Sequence, residues 1–193
     1  MKKRVRDPDG KRISLLDAGL HLADQYGLAN MSVNDVAAEA GVGKGSFYVH
    51  FVDRAAFLLE LHRGFHEELM GEVRAATEGM APGIARLTAA TTAFLDTCLA
   101  ARTVRALLLD MRSEMQVADE VAGRTAQLTR MVEQDLRAAG WPDPGPAARL
   151  YTGMCTETAI AELARGRRDN TLRRSLLHFV SRPSSSAGRA ARR

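Results

Sequence analysis

The chain has 193 residues, with 27 Lys and Arg against 23 Asp and Glu and a formal charge of +4. Hydrophobic residues at 46% and charged residues at 26% describe a globular chain with a core of its own, which excludes wholesale disorder. The longest stretch without a charged side chain is the ten residues between Asp24 and Asp35, about half a membrane span, so no transmembrane helix is expected.

Val, Ile, Tyr, Phe and Trp are sparse, Ala and Leu are abundant, and alternating period-2 runs are hard to find, so an all-α chain of about nine helices is expected. Residues 11–26 place Ile13, Leu16, Leu20 and Ala23 on one helical stripe, and Gly27 stops it. Ser32 opens a short helix to Ala40, Gly41-Val42-Gly43 breaks it, and a second short helix runs from Lys44 to Phe51. Asp53 caps a long helix to Thr77, with Phe57, Leu61, Phe65 and Leu69 along one side. A turn around Pro82 follows, then helical patterns over 84–100, 103–112, 117–139, 145–165 and 168–181. From Arg182 onward, Pro, Ser, Gly, Ala and Arg dominate, and a disordered tail is expected.

Charge is uneven along this series: +1 over residues 1–54, −5 over 55–164 and +8 over 165–193. A small basic head, an acidic middle and an Arg-rich tail point to a polyanion met in one place. The tail reads either as an added source of nonspecific affinity for that polyanion or as a solubilising end. The basic N-terminus leads into no apolar run, so no secretory signal is expected and the chain reads as cytoplasmic. Cys98 and Cys155 lie in apolar helical stretches and read as reduced core thiols.

The segment 32–51, SVNDVAAEAGVGKGSFYVHF, gives each position a physical role. Ser32 caps the first helix with Asp35 three positions on, a variant of the capping box. Val36, Ala37 and Ala40 form an inner face whose small side chains permit close crossing, and Gly41 supplies the backbone freedom of the turn. Val42 plugs the corner, while Phe47 and Phe51 return to the same core. This is the helix-turn-helix layout, in which the second helix is presented to a major groove. Lys44, Gly45, Ser46, Tyr48 and His50 are left outward. Lys44 and Ser46 lie where free amides and the helix dipole favour a phosphate, and Gly45 lets the duplex approach. Tyr48 and His50 donate to phosphate oxygens, and Arg54 begins the next helix, placed to clamp the same strand. Lys2, Lys3, Arg4 and Arg6 make a basic arm able to reach a neighbouring phosphate or minor groove.

The run from Ile13 through Leu58 resembles the N-terminal domain of TetR-family transcriptional regulators. The residues carrying the resemblance are Ala40-Gly41-Val42 at the turn, Lys44-Gly45-Ser46, Tyr48-Val49-His50-Phe51, and Arg54. Two positions depart from the pattern: Gly43 stands where Ser is usual, and Val49 replaces a commonly polar or basic residue. The resemblance implies a DNA-binding domain at 1–53 and a helical ligand-binding and dimerisation domain at 54–181, with the tail at 182–193 beyond them. It further implies a homodimer on a pseudo-palindromic double-stranded DNA operator, with Ser32, Lys44, Gly45, Ser46, Tyr48, His50 and Arg54 at the interface. A small-molecule effector would tilt the long helix 54–77 and alter the spacing of the two heads, relieving repression. Helix position and apolar character make Phe65, Phe94, Met111, Tyr151 and Cys155 the candidate ligand residues. Stripes on 145–165 (Leu150, Met154, Ala161, Ala164) and 168–181 (Leu172, Leu176, Phe179, Val180) would pair across a two-fold axis as a four-helix interface.

Competing chemistries are poorly supported. GVGKGS lacks the consecutive Gly-Lys-Ser/Thr and the preceding strand of a P-loop. His62 and His66, one turn apart, have no third ligand in view and read as solvated or pocket-lining side chains rather than a metal site. Glu157, Tyr151 and His62 form no recognised catalytic arrangement, so neither an enzyme nor a cofactor is expected. The remaining alternative is a ligand-responsive coregulator of the same fold that acts by binding another protein.

Overall fold

The computed structural model describes residues 8–28, 30–100 and 118–181. Every regular element among them is a helix: α1 (Pro8–Tyr26), α2 (Val33–Glu39), α3 (Lys44–His50), α4 (Arg54–Thr77), α5 (Ile84–Ala100), α6 (Ala118–Ala138), α7 (Pro144–Arg165) and α8 (Asn170–Ser181). The all-α expectation is met, with eight helices among the described residues. The expected helix over 103–112, the basic arm and the Arg-rich tail lie outside them. None of the described helices is long and apolar enough to cross a membrane.

These residues form two compact units. The first draws on residues up to Glu67 and on 118–121 at the start of α6, the second on Glu68–Ala100 and on residues from Ala122 onward. The division falls inside α4 because the early turns of that helix complete the first core. Leu15, Ala18, Leu22 and Ala23 of α1, Leu28 and Met31 of the following loop, Val36 of α2 and Phe47 of α3 are buried with Phe51, Phe57, Leu58 and Leu61. Phe47, Phe51 and Phe57 pack as a triad with ring centroids 5.0–5.3 Å apart, in tilted and edge-on arrangements that suit their quadrupoles. Arg12 sits over the Phe51 ring at 5.6 Å and pairs with Glu60 at 2.6 Å, closing one side of the core.

The phase of α1 differs from the sequence expectation. Ile13 is exposed and Leu16 and Leu20 are only half-buried, whereas Leu15, Ala18 and Leu22 face inward. Two apolar rows run along this helix, and the packing of Phe57 and Leu61 over Gly19 brings the 15/18/22 row into the core.

In the second unit α7 buries Ala148, Tyr151, Thr152, Cys155, Thr158, Ala159 and Glu162. The α5 row Leu87, Thr91, Leu95 and Cys98 is buried in the same unit. Asp135 of α6 accepts from the Gly83 amide at 2.9 Å and from Arg86 Nε at 2.7 Å, fixing where α5 begins.

Candidate nucleic-acid interface

Local chemistry fixes the helix-turn-helix. The Ser32 hydroxyl accepts from the Asp35 amide at 3.2 Å, and the Asp35 carboxylate accepts from the Ser32 amide at 3.0 Å and from its hydroxyl at 2.6 Å. This is a complete capping box with Asp in the usual Glu position. The hydroxyl bond, then the amide bond, hold the Asp35 carboxyl below the ordinary carboxylate range. At the other end the Val42 amide reaches the Ala37 carbonyl at 2.9 Å and the Gly41 amide the Ala38 carbonyl at 3.0 Å, a Schellman closure. Gly41 makes it possible with φ of +65°. Helix α3 then starts at Gly43, whose lack of a side chain leaves the start without a side-chain cap.

Phe47 anchors α3 by its buried ring, which determines what the helix presents. Lys44 and Gly45 are exposed, Tyr48 is 50% exposed and Val49 is 79% exposed, while Ser46 and His50 are half-buried on the flanks. Lys44 has no acid beside it in the first turn of α3. An ammonium, a phenol hydroxyl and a residue without Cβ are thus offered together, a surface suited to a phosphate backbone. Ser32 is exposed but its hydroxyl is engaged in the cap. Arg54 is aimed the other way: its Nε donates to the Met31 carbonyl at 3.1 Å and its Nη2 to the Leu28 carbonyl, tying the loop before α2 to the start of α4. Among the expected contacts, Lys44, Gly45 and Tyr48 share the outward face of α3, while Arg54 donates to the loop before α2.

The residues expected around a ligand fall in different places. Phe65 packs against the first unit's core. Tyr151 and Cys155, one turn apart on α7, are buried in the second unit, where the Tyr151 hydroxyl and Thr91 share a hydrogen bond of 3.0 Å. Phe94 is half-buried on α5, one turn beyond Thr91. Met111 lies outside the described residues. Cys98 and Cys155 are both free and buried, and burial pushes each thiol up to about 12. The sequence leaves His62 and His66 either solvated or lining a pocket; both are buried, which corrects the solvated reading, and no group of three metal-binding side chains occurs among the described residues.

Sequence reading missed a buried ionic cluster in the second unit. Glu162, with no exposed surface, accepts from Arg173 Nε at 2.7 Å, from Arg173 Nη2 at 2.6 Å and from the Asp169 amide at 2.8 Å. Arg173 also donates to Asp96, which takes a further bond from Arg168 at 2.5 Å. Burial opposes the Arg173 charge, but its bonds to Glu162 and Asp96 prevail and raise its pKa. No local spacing signals this cluster, because Asp96 lies 77 residues from Arg173.

Residues 15–61 match the family model of bacterial regulatory proteins, tetR family. Over 65 residues the chain is 38% identical to the HTH-type transcriptional repressor KstR2 of Rhodococcus jostii (strain RHA1), covering 34% of this chain and 32% of that protein. Over 48 residues it is 46% identical to the uncharacterized HTH-type transcriptional regulator YwcC of Bacillus subtilis (strain 168), covering 25% of this chain and 22% of that one. The matched segment thus spans a third or less of each of these relatives. Solved structures extend the likeness to the fold. A TetR-like transcriptional regulator from Rhodococcus sp. RHA1 superposes with a TM-score of 0.76 at 16% identity, over 94% of this chain and 96% of that one. The transcriptional regulator FadR from Bacillus subtilis, in complex with stearoyl-CoA, superposes with a TM-score of 0.73 at 15% identity, over 87% and 96%. Residues 15–61 are thus similar to the N-terminal domain of tetR-family bacterial regulatory proteins, and the helical fold of the chain is like that of solved TetR-like regulators over most of its length.

Proposed function

We propose that this chain is a homodimeric, sequence-specific DNA-binding repressor, released from its operator by a small, largely apolar ligand. The observation that carries the reading is α3 itself. A short helix anchored by one buried phenylalanine presents Lys44, Gly45 and Tyr48 outward, behind a capped helix and a Schellman turn. A relative matched over this segment is named as a repressor.

One such helix reads too few base pairs for useful specificity, so a second copy is required, and two heads on a two-fold axis read half-sites about 34–36 Å apart. Leu150 on α7 and Phe179 on α8 supply an apolar surface for that copy, being 72% and 61% exposed in the single chain. Release needs only a ligand that favours a non-binding spacing by about 1–3 kcal/mol, which changes occupancy 5–150-fold. Phe94, Tyr151 and Cys155 are the side chains proposed to meet it. The likeness to a regulator solved with stearoyl-CoA makes a long-chain acyl group, the apolar part of that ligand, the first class to try.

The test is selection of binding sites from a random duplex pool, with Lys44→Ala in parallel. A recovered palindrome is expected, bound more weakly by Lys44→Ala at every sequence, with the slope of log K against log salt reduced by about 0.9 for each phosphate no longer neutralised. No enrichment at low salt from a folded dimer would overturn the operator reading and favour a coregulator that binds another protein.

A further inference from the structure

Among the outward residues of α3, one is chemically out of place for a phosphate surface. Val49 is 79% exposed, as open as any large hydrophobic side chain among the described residues, and it sits in the middle of the face proposed to meet DNA. Helical spacing puts Gly45 one turn before it and Tyr48 beside it, so the three form a continuous patch with Lys44 at its edge. Gly45 has open space above its Cα, so nothing on that side holds a partner away from the Val49 methyls. A valine cannot donate to or accept from a phosphate oxygen. In a major groove the partner that suits two branched methyl groups is the C5-methyl of thymine, which distinguishes A·T from G·C by apolar contact alone.

We infer that Val49 is a specificity-determining residue that reads a thymine methyl group in each half-site, while Lys44 and Tyr48 position α3 on the backbone. The inference rests on the operator reading and deepens it by naming the base feature recognised. β-branching favours this role, because two heavy atoms on Cβ leave Val49 one strongly preferred rotamer in a helix and hold its methyls in place before DNA arrives. Burying one methyl from water accounts for about a fourfold gain in affinity at each half-site.

The experiment starts from the sites recovered with the wild-type protein. Each thymine of the consensus is replaced in turn by deoxyuridine, which removes only the methyl group, and binding is titrated with wild type and with Val49→Ala. Val49→Ala removes exposed methyls and leaves the core untouched, and a circular-dichroism melt checks that it folds. The expected result is one thymine per half-site at which deoxyuridine weakens wild-type binding about fourfold but leaves Val49→Ala binding unchanged. Deoxyuridine tolerated at every position, or a penalty that persists in Val49→Ala, would overturn the inference and leave operator binding intact. Failure to recover any site from folded wild-type protein would overturn both.

Discussion

Gly19 and Phe57 are in direct contact: a Cβ built on Gly19 would overlap Phe57 Cζ and come within 2.9 Å of Cε1. The ring cannot easily swing away, since Phe47 and Phe51 hold it at centroid distances of 5.2 and 5.0 Å. The absence of one side chain therefore sets how closely α1 and α4 pack. Gly19→Ala tests this with opposed effects. Alanine gains about 1 kcal/mol of helix propensity, while overpacking a well-filled core costs about 1–3 kcal/mol. A net loss is expected, seen as a lower urea midpoint, and Gly19→Ala combined with Phe57→Leu should recover part of it. A midpoint at or above wild type would show that the ring has room to move.

The capping box of α2 predicts a linked effect of mutation and pH. Ser32→Ala removes the acceptor for the Asp35 amide, a change that costs about 0.5–2 kcal/mol at helix N-caps. Because the folded-state pKa of Asp35 is lowered, its contribution is complete above the unfolded carboxylate value and is lost as pH falls through the folded one. Thermal melts between pH 7 and pH 2 should show the wild type losing more stability over that acid range than Ser32→Ala. Parallel curves would mean that the bonds to Ser32 do not hold the carboxyl down.

Glu162 and Arg173 form a buried pair whose partners are each costly to leave alone. Glu162→Leu and Arg173→Met as single changes should each lower stability, by up to about 3–5 kcal/mol, because a buried charge loses its buried counter-ion; Arg173 keeps only the more exposed Asp96. The double variant should be markedly less damaged than either single one. Asp96 keeps Arg168 but loses Arg173, and the Asp169 amide loses its acceptor, so full recovery is not expected. Denaturant titrations of the three variants decide it, and simple additivity would show that the pair is not coupled.

Both thiols sit near 12 in the folded protein, far above a working pH of about 8. A thiol reagent such as DTNB should therefore report almost no free thiol under native conditions and both thiols in denaturant. Rapid native labelling of either residue would mean that the α5–α7 packing opens far more often than its burial implies.

Much of the head was legible because its determinants are close in sequence. The cap joins residues three apart, the Schellman turn spans Ala37 to Val42, and the outward set on α3 follows from the placement of Phe47 by helical periodicity. Glycine, proline and serine punctuation likewise located all eight described helices to within a few residues, since each acts on the backbone next to it.

What spacing could not decide was which of several plausible faces each helix would use. On α1, Ile13 and Leu15 are equally apolar, and only the packing of Phe57 onto Gly19 exposes one and buries the other. Arg54 was legible as a cation near the motif, but its turn toward the carbonyls of Leu28 and Met31 depends on a loop more than twenty residues away. Nothing near Glu162 in sequence marks it as buried, and it is the fold that brings Arg173 and the Asp169 amide onto its carboxylate. Sequence by itself thus determined the described helices, their ends and the helix-turn-helix layout, because those depend on local hydrogen bonding and backbone freedom. Only the tertiary structure decided which side chains are buried, paired or presented, because that choice is made by contacts between helices distant along the chain.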